Sequence, residues 1–216
     1  MPGCGSRFIR CPHPEPVFGV LLSTVNIVEE IVKGVMSPDP VHGYPHVERV
    51  RRLALRIASN YPEADKEVIE LSALLHDIAR NGRGNNAKEG FDHALASARV
   101  AEVILKALGL PKEKVEAVIH AIEAHSFSAG RKPKSLEAKI LSDADKLDAL
   151  GAIGVVRVFM YSATIGRGIK DSIAHFESKI LKLPSLMWTP EGKREAERRV
   201  KFVEEFLKEL EAELNA

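Results

Sequence analysis

The stretch from Asp65 to Arg80 reads DKEVIELSALLHDIAR, and its apolar side chains recur at the intervals of an amphipathic helix. Asp65 can cap this helix, because its carboxylate can accept hydrogen bonds from the free N–H groups of the first turn. His76 and Asp77 interrupt the apolar pattern near the C-terminal end. The face predicted to be buried consists of Val68, Ile69, Leu71, Leu74 and Leu75. The stretch therefore predicts a core helix that carries two polar side chains into the interior.

Burial would oblige both His76 and Asp77 to find partners, since an unpaired buried imidazole or carboxylate costs several kcal/mol. Neighbouring positions on a helix point about 100° apart, so both can reach one metal ion only if it lies between helices. A histidine hydrogen-bonded to a nearby aspartate in a satisfied core is the alternative. The dipeptide alone leaves both interpretations open.

Two further residues able to bind metal favour the first interpretation. His46 opens the preceding predicted helix, and Asp145 interrupts another apolar helix. Two imidazoles and two carboxylates suit Mn²⁺, Fe²⁺, Co²⁺, Ni²⁺ or Zn²⁺, whereas Mg²⁺ fits less well because of the imidazoles. A closed structural zinc site would usually use cysteines, and neither Cys4 nor Cys11 is near. An open site with bound water suits hydrolysis, because a metal ion acidifies water and polarises a phosphoryl oxygen.

The rest of the chain repeats the helical pattern, with no convincing alternating strand and no long linker. We therefore expect an all-α fold, with one helical bundle domain over residues 17–216. A Gly/Pro-rich leader over residues 1–16 is expected to be poorly ordered. Besides the stretch above, helices are predicted at about 17–35, 45–61, 91–108, 111–126, 135–161, 171–182 and 190–214.

Composition excludes several classes of protein. The 31 basic and 30 acidic residues of the 216 give a formal net charge of +1, which disfavours a general nucleic-acid binder. Both cysteines lie in the leader, so a disulfide scaffold is disfavoured and a cytoplasmic location is expected. No run approaches the roughly 20 apolar residues that span a bilayer, so no membrane partner is expected. Residues 17–28 are interpreted as part of the first helix rather than as a targeting signal.

The order of these residues resembles the signature of the HD-domain metal-dependent phosphohydrolases. Three motifs carry the resemblance: His46-Val47-Glu48-Arg49-Val50, Leu74-Leu75-His76-Asp77-Ile78 and Ala144-Asp145-Lys146-Leu147. Segments near His125, over 142–154 and over 175–183 are similar to a single-domain prokaryotic branch of that superfamily. This branch includes a manganese-dependent pyrophosphohydrolase of nucleoside triphosphates. The resemblance extends over roughly residues 17–214 and implies a single HD-type helical bundle.

The resemblance implies four metal ligands, which are His46, His76, Asp77 and Asp145. It implies a divalent cofactor, with Mn²⁺ preferred and Co²⁺, Ni²⁺, Fe²⁺, Zn²⁺ or Mg²⁺ as alternatives. The implied partner is a small phosphorylated molecule, with a nucleoside triphosphate cleaved to monophosphate and pyrophosphate as the leading candidate. A phosphodiesterase, a nucleotidase or a non-catalytic module that binds metal or nucleotide is the alternative. The oligomeric state is left open.

Other acidic and histidine residues near these motifs are assigned less directly. Asp148 lies one turn from Asp145 and can orient a ligand, accept a proton from water or only cap the helix. Asp143 is expected to cap or brace its helix. His93 and His125 fall where HD enzymes with two metals carry extra histidines, and they either bind a second metal or contact phosphate and neighbouring groups.

Fixed positive charge near the ion is needed for phosphate chemistry. Asp77, Asp148, Arg49 and Lys146 are the candidate catalytic residues. Arg49, Arg80, Lys146 and Lys179 are the candidate substrate contacts, with Arg80 and Lys179 chosen by helical spacing alone. For each of these cations an ordinary salt bridge or edge packing is the alternative. His42 lies in a Pro/Gly-rich segment and is assigned no role.

Overall fold

The computed structural model describes residues 22–39, 41–80, 92–126 and 130–216, and these ranges contain helices and no β-strand. The all-α prediction is confirmed. A 3₁₀ helix, Ile180–Leu186, lies between the last two α-helices. The α-helices are α1 (Thr24–Val35), α2 (Tyr44–Ala58), α3 (Lys66–Leu75), α4 (His93–Ala107), α5 (Lys112–His125), α6 (Leu136–Asp148), α7 (Gly151–Thr164), α8 (Ile169–Ser178) and α9 (Pro190–Leu214). The predicted leader and the start of the predicted first helix lie outside the described residues.

Helix α3 lies between the two hydrophobic cores of the protein. Ile69 and Ala73 face the core formed mainly by α2, α6, α7, α8 and α9. Val68, Leu71 and Leu74 face the other core, with α1, α4 and α5. All five predicted core residues of α3 are at most 2% exposed. Removing this much apolar surface from water on both sides stabilises α3 between the two cores.

The beginning of α3 agrees with the sequence prediction, but its end does not. The Asp65 carboxylate accepts hydrogen bonds from the N–H groups of Glu67 and Val68 at 3.0 and 3.2 Å, as an N-cap should. The α-helix ends at Leu75, so His76 lies in the turn that follows rather than inside the helix. His76 Nδ1 lies 2.8 Å from the carbonyl oxygen of Ala73, and this local bond helps to close the turn.

The single helix predicted over 135–161 is wrong, because the structure contains two helices bent by 69°. The chain turns between Ala149 and Gly151, where Gly151 has φ +75°, a left-handed conformation that favours glycine. A Cβ on Gly154 would lie 2.2 Å from the carbonyl oxygen of Ala149, so the start of α7 approaches the end of α6 closely. The apolar pattern continues through this break, which explains why periodicity did not reveal it.

The remaining boundaries agree with the sequence to different degrees. Helix α9 coincides with the predicted range, whereas the predicted helix over 171–182 ends as an α-helix at Ser178 and gives way to the 3₁₀ helix. No single helix in the described ranges has the length and apolar character needed to cross a membrane. Helices α6 and α7 pass that test only when they are taken together as a bent pair.

Phe176 provides a test of the larger core. Its ring is fully buried and lies 5.9 Å from the ring of Phe159. We expect Phe176→Ala to lower the free energy of unfolding by about 3–5 kcal/mol, because it leaves a cavity in a packed core. Phe202 is 45% exposed, and Phe202→Ala should cost about 1 kcal/mol or less. Urea unfolding followed by circular dichroism measures both, and equal losses would contradict the packing described.

Candidate functional site

Five segments bring histidine and aspartate side chains to one point between the two cores. His46 lies in the first turn of α2, and His125 is the last residue of α5. The turn after α3 supplies His76 and Asp77, and α6 supplies Asp145. His93, the first residue of α4, lies at the edge of this group. The structure therefore brings together all four predicted metal ligands and both of the less certain histidines.

The distances within this cluster are short. His46 Nε2 lies 3.3 Å from His76 Nε2, 3.5 Å from Asp145 Oδ1 and 3.7 Å from Asp77 Oδ2. On the other side of Asp77, Oδ1 lies 3.8 Å from His93 Nε2 and 3.9 Å from His125 Nε2. Two overlapping sets of donor atoms are close enough to hold an ion. They are His46, His76 and Asp145, and His76, Asp77 and His125.

Hydrogen bonds on the outer side of the cluster determine which ring nitrogens face inward. His76 Nδ1 lies 2.8 Å from the carbonyl oxygen of Ala73, and His125 Nδ1 lies 2.6 Å from that of Ile122. A carbonyl oxygen can only accept, so each Nδ1 carries the proton and donates it. In the neutral ring, Nε2 then has a free lone pair, which points into the cluster.

The third imidazole, His46, is oriented in the same way, but its outer partner is a carboxylate. Its Nδ1 donates to Asp148 Oδ2 at 2.7 Å, which leaves the Nε2 lone pair facing inward. Burial and the nearby Arg157 charge lower the pKa of His46. Burial and His76 lower the pKa of His125 to about 4. His46 Nε2 and His76 Nε2 lie only 3.3 Å apart, and a cation bound between them would be attracted to both nitrogen lone pairs.

The carboxylates add negative charge to these lone pairs. Burial opposes ionisation of Asp77, but the Arg80 guanidinium and the adjacent imidazoles hold its pKa well below the usual range. Burial also opposes ionisation of Asp145, whereas His125 and His46 lower its pKa to about 2. Among the described residues, Asp77 Oδ1 is buried with no hydrogen-bond partner. An orphaned carboxylate oxygen beside inward-facing imidazole lone pairs fits a divalent cation.

Asp148 holds His46 from behind rather than facing the centre of the cluster. Its carboxylate accepts hydrogen bonds from His46, from Arg49 Nε at 2.7 Å and from Arg157 Nη1 at 2.8 Å. Burial alone would raise the pKa of Asp148, but the bonds from His46 and Arg49 lower it. Since cationic and imidazole donors occupy both oxygens, the geometry supports orientation of His46. Of the roles predicted for Asp148, this geometry fits orientation of a ligand, and its catalytic role stays a prediction.

The four predicted cationic contacts do not all reach the same place. Arg49 donates two hydrogen bonds to Asp148, at 2.7 and 3.0 Å, and is not among the residues that line the cavity beside the cluster. Its predicted contact with substrate stays a prediction. Arg80, Lys146 and Lys179 do line that cavity. Arg80 pairs with Asp77 Oδ2 at 3.1 Å, and Lys146 Nζ donates to the carbonyl oxygen of Ser142 at 3.1 Å. Burial lowers the pKa of both Lys146 and Lys179.

The cavity has a volume of about 270 Å³ and contains residues that the sequence analysis missed. Arg157 donates to Asp148 and to the carbonyl oxygen of Val41. The signal for Arg157 was available, because it is the one charged residue in α7. The His42 ring packs edge-on against His46 and Tyr161, and burial lowers the pKa of His42 to about 2. No local pattern pointed to His42.

Comparisons with known proteins agree with this geometry. The HD domain family profile matches residues 43–150, half of the chain, and that range includes all four predicted ligands. The uncharacterized protein YpgQ of Bacillus subtilis (strain 168) is 33% identical over 181 residues, which cover 80% of this chain and 84% of YpgQ.

Three solved structures are similar over most of their length. The crystal structure of Bacillus subtilis YpgQ in complex with ADP has a TM-score of 0.70 and 29% identity, covering 88% of this chain and 97% of that one. An HD-superfamily hydrolase from Bacillus thuringiensis has a TM-score of 0.66 and 31% identity, covering 89% and 95%. A predicted HD superfamily hydrolase from an uncultured Thermotogales bacterium has a TM-score of 0.60 and 35% identity, covering 88% and 91%. With the histidine and aspartate cluster lying inside the matched range, the chain belongs to the HD superfamily.

Proposed function

We propose that this protein is a divalent-metal-dependent phosphohydrolase that cleaves a nucleotide, with a nucleoside triphosphate giving a monophosphate and pyrophosphate. The observation that carries the proposal is the set of inward-facing imidazole lone pairs and ionised carboxylates beside a cavity with cationic walls. The carboxylates and lone pairs of the cluster favour a metal ion. The cations along the cavity favour an anion that contacts this ion.

The proposed metal ligands are His46, His76, Asp77 and Asp145, with Mn²⁺ as the first candidate ion. A bound ion of this kind supplies an acidified water and polarises a phosphoryl oxygen. His125 and His93 lie on the other side of Asp77, where they either complete a second metal site or contact a phosphate. We keep both roles for these two histidines in the proposal.

Cationic side chains of the protein supply the positive charge for binding phosphate. Arg80, Lys146 and Lys179 line the cavity and are placed to donate charge-assisted hydrogen bonds to phosphate oxygens. Such fixed donors stabilise negative charge that grows on the phosphate during cleavage. Arg49 and Arg157 also hold the Asp148 carboxylate that orients His46.

A substrate with several phosphates fits the charge of the cavity. Arg157 and Arg167 line it together with the three cations above, and Asp145 lines it as well. A polyphosphate chain has enough negative charge to pair with several of these groups at once. The ADP complex of YpgQ supports a nucleotide as the molecule that carries the polyphosphate.

The expectations about the surroundings of the protein stay predictions. A cytoplasmic location, the absence of a nucleic-acid partner and the absence of a membrane partner rest on the composition alone. They are compatible with a small soluble nucleotide as the substrate.

The first test removes a carboxylate from the cluster. We expect Asp77→Ala to reduce Mn²⁺ affinity and nucleotide hydrolysis by more than about 100-fold, because losing a ligand should cost more than losing an outer-shell partner. The helical circular dichroism spectrum should be retained. Calorimetry with Mn²⁺ measures the affinity, and separate assays for pyrophosphate and orthophosphate measure the products.

The same assays distinguish the alternatives. Chelation should abolish hydrolysis by the unaltered protein, and added Mn²⁺ should restore it. Orthophosphate released in steps would favour a nucleotidase, and cleavage of diesters would favour a phosphodiesterase. Metal-stimulated hydrolysis that survives in Asp77→Ala would refute the proposed centre, and metal binding with no turnover of any nucleotide would leave only a binding module.

Asp148 and Asp143 form a matched pair, since both are buried aspartates of α6. Asp148→Asn should weaken Mn²⁺ binding about 10- to 100-fold, because a neutral amide holds His46 and two guanidinium groups poorly. Asp143 instead accepts hydrogen bonds from the start of α9, so Asp143→Asn should lower the melting temperature without changing Mn²⁺ affinity. Equal Mn²⁺ affinities for the two variants would contradict the positioning role.

Lys179 and Lys182 provide a second matched pair, because only Lys179 lines the cavity. We expect Lys179→Ala to lower kcat/KM for a nucleoside triphosphate about 10- to 100-fold, the cost of a lost hydrogen bond to a charged group. Lys182→Ala should leave kcat/KM unchanged. Steady-state kinetics at saturating Mn²⁺ provides the measurement, and a loss of the same size in both variants would show that only general surface charge matters.

A further inference from the structure

A second cavity adjoins the one beside the metal cluster. Its volume is about 340 Å³, and it shares Ser126 and Lys146 with the first cavity. His125, a member of the cluster, also lines it. The two cavities therefore have part of their walls in common.

The walls of the two cavities differ in character. The first is lined by five cations and the second by three, Arg131, Lys132 and Lys146, and of the two only the second contains a tryptophan, Trp188, beside Pro133, Leu186 and Met187. Trp188, the one tryptophan of the chain, is 43% exposed. Large aromatic side chains are mostly buried, so a half-exposed indole on a cavity wall offers an unused flat surface.

The backbone of Trp188 is hydrogen-bonded to α6, the helix that supplies Asp145 to the histidine and aspartate cluster. Asp143 of α6 accepts hydrogen bonds from the N–H groups of Trp188 at 2.9 Å and Thr189 at 2.7 Å. A Cβ on Gly192 would lie 2.5 Å from Asp143 Oδ2, so only glycine allows this approach. Asp143 is two positions from Asp145 on α6. The backbone of Trp188 is thus hydrogen-bonded to the helix that supplies Asp145.

We infer that the second cavity binds the nucleobase of the nucleotide and that the base stacks on Trp188. This inference rests on the proposed function, because the phosphates are taken to lie in the first cavity. The two cavities have volumes of about 270 and 340 Å³. Each is small for a small-molecule site, since such sites usually have volumes of roughly 300–1,000 Å³. A nucleotide has one polyanionic part and one flat aromatic part. The phosphates suit the more cationic first cavity, and the base suits the indole of Trp188 in the second. Stacking on an indole is tolerant of base identity, so Trp188 contributes affinity for a base more than choice among bases.

Fluorescence tests the inference directly, since all tryptophan emission comes from Trp188. Adenosine and thymidine, which carry no phosphate, are titrated into the full-length protein loaded with Mn²⁺. We expect each nucleoside to change the emission in a saturable way, and ribose to leave it unchanged. No saturable change with either nucleoside would overturn the inference.

Two substitutions at Trp188 separate stacking from support of the fold. Trp188→Ala should raise the KM for ATP roughly 5- to 100-fold, while inhibition by inorganic pyrophosphate stays unchanged because it needs only the first cavity. Trp188→Phe keeps an aromatic face and should recover most of the loss. Phe202→Ala, at a half-exposed aromatic residue that lines neither cavity, serves as the control.

The outcomes also separate this inference from the proposed function. Nucleotide hydrolysis with an unchanged KM in Trp188→Ala would refute base stacking and leave the phosphohydrolase intact. Nucleoside binding that calorimetry finds in the unaltered protein and not in Trp188→Ala, without hydrolysis of any nucleotide, would support the base site and refute the proposed function. Equal losses in both Trp188 variants, with weaker pyrophosphate inhibition, would indicate a structural role for Trp188 and overturn the inference.

Discussion

The buried carboxylate of Asp148 is the interaction on which the site depends. It accepts hydrogen bonds from one imidazole and two guanidinium groups, and so ties α2, α6 and α7 together at the edge of the metal cluster. A buried charge is tolerated only when its partners are all present. The sharp turn at Gly151 is what returns α7 to α6 and delivers Arg157 to this carboxylate. The orientation of His46 therefore depends on a backbone turn that touches no ligand.

Sequence reasoning identified the parts of this protein that are governed by local rules. The apolar period and the Asp65 cap predicted α3, whereas the resemblance to HD-domain enzymes, not a local rule, implied that His46, His76, Asp77 and Asp145 would lie together. The end of α3 was missed because it depends on a bond from the His76 side chain to the backbone, which competes with continuation of the helix. The break before α7 was missed because a glycine tolerated within a helix and a glycine at a left-handed turn look alike in a sequence.

The roles of the arginines depend on contacts far apart in the chain, which no spacing rule supplies. Arg49 lies one turn from His46, as expected, yet Asp148, 99 positions later, takes its guanidinium away from the cavity. Arg157 reaches Val41 across 116 positions and lines the cavity in its place. The overall charge of +1 hides this arrangement, since cations line the cavity while carboxylates gather at the cluster. In the function we propose, local separation of charge, rather than net charge, would give the site affinity for an anion beside a cation.

His76 and His125 both donate a hydrogen bond to a carbonyl oxygen three residues earlier, where a helix ends and its last carbonyls lack partners. The helix ends thus set the direction of each ring through the protein's own backbone. The entropy of ordering these side chains is lost during folding rather than on ion capture. Exchange of one divalent ion for another then requires no rebuilding of the donor atoms. Competition among ions at such a centre is decided by coordination chemistry and supply.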